Sequence, residues 1–172
     1  MRKKSIYFTV EAAMIAAAYV VLTLMSNIFN LAYGGDNIQF RISEALTILP
    51  IFTFSAIPGL CIGCFISNII STLGPIDMIF GTTATLIAAL LTFLLKNLTI
   101  KGLPILAFLP PVIINAVIIG IEINMFFLPE GASLWGFITS ALSVGIGELG
   151  VCFVLGIPLY LTIKKYGFFS KN

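Results

Sequence analysis

From Ile6 to Ile28 the chain is apolar apart from Glu11 and a few small polar residues. A stretch of that length crosses a hydrocarbon core about 30 Å thick, which takes roughly 20 helical residues. The same texture returns along nearly the whole chain. With 59% hydrophobic and 9% charged residues, against about 25% charged in a soluble domain, a water-facing shell cannot be assembled. The expectation is one membrane-embedded domain over residues 1–172, all-α, with little chain left for anything outside the bilayer. The start Arg2-Lys3-Lys4 has the charge of a secretory signal. The apolar run behind it exceeds the about 7–15 residues of a signal core, so it reads as a retained first span.

Turn chemistry divides the remainder. A polar loop runs from Asn30 to Gln39, with Gly34-Gly35-Asp36-Asn37 at its centre. A short second span from Phe40 to Ile51 ends near Pro50, and a third runs from Pro58-Gly59 to Leu73; their shortness predicts a re-entrant-looking hairpin rather than two full crossings. Gly74-Pro75 breaks the chain, and Asp77 is read as the N-cap of a fourth span ending at Leu95. A fifth span covers Leu103–Leu128, Pro129-Glu130-Gly131 breaks it, and a sixth covers Trp135–Ile163. With six spans, Arg2, Lys3, Lys4, Lys96, Lys101, Lys164, Lys165 and Lys171 fall on one side and only Arg41 on the other. The positive-inside rule makes the basic side cytoplasmic, with both termini there.

Charged residues inside a span cost about 2.5–3.5 kcal/mol on insertion scales and so mark a cavity or a partner. Glu11, Glu44, Glu122 and Glu148 are such residues, with Glu11 close to the basic end. Arg41 and Glu44 are three apart, at the spacing of an ion pair along one helix face. Asn115 and Glu122, seven apart, share a face of the fifth span. On the sixth, Ala141, Gly145 and Glu148 share another, which reads either as room for a ligand beside the acid or as close packing through small residues. Glu122 and Glu148 are the first candidates to face a ligand, because Arg41 is the one intramembrane base and cannot pair with both.

Familiar catalytic devices are missing from the sequence. There is no histidine, no G-x-x-x-x-G-K-[ST] phosphate loop, no H-E-x-x-H and no G-x-S-x-G. Cys61, Cys64 and Cys152 lie in apolar segments and read as packing residues. Binding and transport is the expected work, with no enzyme activity, no cofactor, no metal and no nucleic acid.

The run Asn37-Ile-Gln-Phe-Arg41-Ile-Ser-Glu44-Ala-Leu-Thr-Ile-Leu-Pro50, followed by Ser55-Ala-Ile-Pro58-Gly59 and Ile66-Ser-Asn68, resembles the QueT family of queuosine-precursor transporters. Leu109-Pro-Pro-Val-Ile-Ile-Asn115, Gly120-Ile-Glu122, Ala141-Leu-Ser143-Val-Gly145-Ile-Gly147-Glu148 and Gly156-Ile-Pro158 extend the likeness over most of the chain. The resemblance implies a six-helix S component of an energy-coupling-factor (ECF) transporter in the bacterial cell membrane. It would capture queuine or a related 7-deazaguanine base from outside and carry it inward by toppling on a coupling (T) subunit that bears two ATP-binding cassette ATPases. It further implies that Ala12/Ala16 and Ala13/Ala17 are small-residue pairs for meeting the coupling subunit. Glu122 or Glu148 would accept the paired N–H groups of the base, Asn115 would read a ring atom, Trp135 would stack on the ring, and the Asn30–Asn37 loop would close over it. Arg41 and Glu44 are the next candidates for the site. An S component for another vitamin, or a stand-alone proton-coupled carrier using Glu122 and Glu148, are the alternatives.

Overall fold

The computed structural model describes residues 2–28, 40–69, 74–129 and 131–169. Among these are six α-helices, α1 (Arg2–Ile28), α2 (Ala56–Ile69), α3 (Pro75–Leu95), α4 (Leu109–Phe126), α5 (Leu134–Gly150) and α6 (Gly156–Tyr166), and a 3-10 helix at Ile42–Ile51. Helices α5 and α6 form one continuous rod, Leu134–Tyr166, because a π-helical turn at Val151–Leu155 passes the chain on without a break. Four stretches, Lys4–Ile28, Pro75–Leu95, Ile105–Phe126 and Leu134–Tyr166, are long and apolar enough to cross a membrane, and with the shorter 3-10 helix and α2 they fit the six-helix membrane bundle expected from hydropathy. The Asn30–Gln39 loop and Glu130 lie outside the described residues.

The bundle is apolar outside and holds a polar cluster within its apolar core. Tyr7, Ile79, Leu94, Leu134, Trp135 and Val154 are exposed, whereas Glu44, Asn68, Asp77, Asn115, Glu122 and Glu148 are buried. Such a surface suits lipid, and in lipid every buried backbone group must find its partner within the chain.

The 3-10 helix is the axis of the molecule, touching α1, α2, α3, α6 and the π-helical turn. Arg41 at its start pairs with Asp77 in the first turn of α3, while Phe52 to Ser55 beyond its end share a cavity with Lys96 at the far end of α3. It and α2 are both shorter than a full-length span, as expected, yet the 3-10 helix runs from near one end of α3 to near the other. The physical reason is rise per residue. Ten residues at about 2.0 Å each reach roughly 20 Å, where an α-helix of that length would reach about 15 Å. The α1 side chains fix its entry, since Thr23 Oγ1 donates to Ser43 Oγ at 2.8 Å and Ser26 Oγ accepts the Ile42 N–H at 2.9 Å.

The N-cap expected at Asp77 moves to Gly74, whose φ of 70° suits glycine, with Pro75 preset for the first helical turn. Asp77 is left free to turn inward toward Arg41.

Helices α1 and α2 meet through small residues on both sides. A Cβ on Gly59 would lie 2.7 Å from the Ala12 carbonyl oxygen, and one on Gly63 would lie 2.9 Å from that of Ala16 and 2.8 Å from Tyr19 Cβ. Backbone cannot yield as a flexible side chain can. Gly63→Ala is expected to push α1 off α2 and cost about 1–3 kcal/mol, read as a lowered Tm in detergent; an unchanged Tm would show that the contact relaxes freely.

The basic segments gather at one end. Lys4, Lys96, Phe168 and Phe169 line a common cavity of about 960 Å³, and Lys164 Nζ donates to the Gly102 carbonyl at 3.4 Å.

Candidate functional site

Between the middle of the bundle and the opposite end, each of the first five helices, and the 3-10 helix between them, sends a polar side chain inward. Arg41 holds an extended backbone (φ −103°, ψ 105°) as cap of the 3-10 helix. Its side chain therefore leaves the helix face that carries Glu44, and the expected Arg41–Glu44 pair is replaced by others. One guanidinium nitrogen of Arg41 donates to Asn68 Oδ1 at 2.8 Å and pairs with Asp77 Oδ2 at 3.3 Å. Asn68 Nδ2 donates in turn to the Asp77 carbonyl at 2.9 Å. Gly81 permits this, because a Cβ there would fall 3.1 Å from Asp77 Oδ1 and closer still to Asn68 Nδ2.

Glu44 faces the other way. Its carboxylate accepts from the Tyr19 hydroxyl and, at 3.4 Å, from Asn115 Nδ2. The same amide donates to Glu148 Oε1 at 2.9 Å, so Asn115 bridges two carboxylates. Cys152, one turn beyond Glu148, lies 3.9 Å from both Glu148 Oε2 and Thr47 Oγ1. Cys64 accepts weakly from Asn68 Nδ2 at 3.6 Å, so both buried thiols pack beside the polar cluster.

Glu122 differs from its neighbours. It is wholly buried, yet among the described residues neither of its carboxylate oxygens has a hydrogen-bond partner. Arg41 Nε–H is buried and also lacks a partner among the described residues, as do the side-chain oxygens of Asn27 and Thr82. Glu122 lies within electrostatic reach of Arg41 and Asp77. An unmet buried polar group costs about 1–3 kcal/mol, and more when charged, so a carboxylate kept in this condition needs a reason beyond folding.

Of the residues singled out from sequence, Arg41, Glu44, Asn115, Glu122 and Glu148 converge here. Trp135 does not. It is 73% exposed in the first turn of α5, on the outside of the bundle, where an indole suits the membrane interface. The small residues of α5 prove to be packing contacts, since a Cβ on Gly120 would lie 3.0 Å from Ala141 Cα and one on Gly145 would lie 3.3 Å from Ala116 Cβ. Ala12 and Ala16 are likewise buried against α2, so they are not free to meet a partner, while Ala13 and Ala17 face outward. Tyr19, Asn68 and Asp77 are the members of the cluster that sequence reasoning missed. Glu11 stands apart in the cavity at the basic end, where its Oε2 accepts from Ser55 Oγ at 2.6 Å and Thr53 Oγ1 at 2.9 Å. That cavity holds none of the converging residues, so the buried cluster is the better candidate site.

Comparison with known proteins gives the family of the chain. The family model described as QueT transporter matches residues 9–165. A curated relative from Lactococcus lactis subsp. cremoris (strain MG1363), the queuosine precursor transporter QueT, is 39% identical over 87 residues, which is 51% of this chain and 50% of the relative. The chain thus aligns with half of that relative's length. No solved structure matches it.

Proposed function

We propose, because this chain belongs to the QueT transporter family, that it captures a queuosine precursor, a 7-deazaguanine base, in the buried cluster formed by Arg41, Glu44, Asn115, Glu122 and Glu148. The observation that carries this reading is the pair of unmet groups. The guanine-like edge presents a carbonyl acceptor, a ring N–H and an exocyclic amine in a row. Glu122 supplies the two acceptors for the N–H groups and Arg41 Nε–H the donor for the carbonyl, an arrangement that charge-assisted bidentate bonding favours. Bound base repays the buried carboxylate what folding left unmet.

The basic end is cytoplasmic in this reading, so the cluster lies toward the outer face, as uptake requires. Energy comes from outside the chain, through a coupling subunit with two ATP-binding cassette ATPases, and the outward pair Ala13 and Ala17 on α1 is the face that meets it. Mass spectrometry of small molecules co-purified with the protein in detergent tests the substrate: a 7-deazaguanine base is expected, and a different vitamin in its place would overturn the assignment.

A further inference from the structure

Four carboxylates, Glu44, Asp77, Glu122 and Glu148, are buried in one cluster, and the base among them is Arg41, which Asp77 already pairs at 3.3 Å. Every other Lys or Arg of the chain falls within residues 2–4, 96–101 or 164–171. Of these, Lys4 and Lys96 line the cavity at the opposite end, and Lys164 is held to Gly102 there. The chain segments 29–39, 70–73 and 130 contribute Asp36 and Glu130 but no Lys or Arg. Among the described residues no second cation reaches the cluster. Among the described residues, the other side chains at the cluster include Tyr19 from α1, Cys64 and Asn68 from α2, Asn115 from α4 and Cys152 beyond α5, and none of these carries positive charge.

Charge taken out of water without a partner is costly enough that it is either neutralised by protons or matched by an ion of opposite sign. Glu44 and Glu148 make the need plainest, since both lean on the single amide of Asn115. Glu122 adds a further carboxylate with no partner at all among the described residues. Seven residues of α4 separate it from Asn115, about 10 Å of helical rise on one face. A bicyclic base with a short arm spans that distance, with the ring edge at one end and the arm at the other.

We infer that the ligand is a cation: its ring edge is read by Glu122 and Arg41, and a protonated amine on its side arm lies between Glu44 and Glu148. The inference rests on the reading of the ligand as a 7-deazaguanine base and narrows it to members that carry an amine. In the empty protein, a proton held between Glu44 and Glu148 offsets the charge of that pair. The incoming ammonium takes over that role, and the proton leaves to solvent.

Titration calorimetry of the full chain in detergent at neutral pH tests this with two ligands, a 7-deazaguanine bearing an aminomethyl arm and the same ring bearing a neutral nitrile. The amine is expected to bind at least about 30-fold more tightly, which is roughly 2 kcal/mol at 1.4 kcal/mol per tenfold. Repeating the titration in two buffers of different ionisation enthalpy is expected to show proton release for the amine and none for the nitrile. Glu148→Gln is expected to lose most of the preference, the ratio of amine to nitrile affinity falling toward one. Equal affinities for the two ligands in the unaltered protein would overturn the cationic inference and leave the deazaguanine reading standing. Binding of neither would overturn both.

Discussion

Glu122→Gln is expected to weaken binding of the preferred deazaguanine by roughly 30- to 1000-fold, without loss of folded protein. The exchange keeps the side chain's shape but replaces one acceptor oxygen with an amine, which then confronts the donors of the base. A charge-assisted bidentate contact is lost and a ligand donor is left unmet, together about 2–4 kcal/mol, at 1.4 kcal/mol per tenfold. Stability moves the other way. Both oxygens of Glu122 are buried without partners among the described residues, so removing the charge relieves a desolvation cost in the empty protein. Higher Tm together with lower affinity is the signature of a carboxylate kept for a ligand. A structural carboxylate would do the reverse, losing stability while affinity stayed within a few-fold of the starting value. Calorimetry and thermal unfolding of the same preparation separate the two, and unchanged affinity would remove Glu122 from the site.

The part of this site that was legible in the sequence is the part that obeys a local rule. Asn115 and Glu122 were found by helical spacing, and both are buried on α4. Acids in apolar runs stood out by cost alone, and Glu44, Glu122 and Glu148 all turn inward. Partners were a different matter, because they come from elsewhere in the chain. Arg41 looked like the mate of Glu44 three residues on, but its extended backbone sends it to Asn68 and Asp77, 27 and 36 residues away. Asp77 looked like a cap because a polar residue opens an apolar helix. Pro75 starts that helix earlier and frees the carboxylate. Tyr19 left no trace in the pattern, since a tyrosine in a membrane span reads as apolar until its hydroxyl is seen against Glu44. The alanines of α1 show the same limit. Their spacing announces a small-residue face, but four-residue steps from Ala12 and from Ala13 define two adjacent stripes, and only packing tells which one α2 occupies.

That distinction carries the second large effect. Ala17→Trp, and separately Ala13→Trp, is expected to abolish uptake in cells that also make the coupling subunit and its ATPases, and to remove the protein from pull-downs of that subunit. Substrate binding by the isolated chain is expected to stay within about threefold. Both alanines are exposed on the outer face of α1, flanked by Val10, Met14 and Val21, so a large ring there meets lipid and not the bundle. Close approach of two helices needs small residues at the crossing, and an indole in the seam holds the backbones apart. Ala16→Trp serves as the contrast. Ala16 is 7% exposed and packs on Gly63, beside Tyr19 and hence beside Glu44, so this change is expected to unfold the protein or spoil binding along with uptake. Separate loss of coupling at Ala13 and Ala17, with joint loss of fold and coupling at Ala16, would place the partner on the outward stripe. Normal uptake in both outward variants would move the docking face to another helix, and uptake by the chain in liposomes without any ATPase would remove the need for a partner altogether.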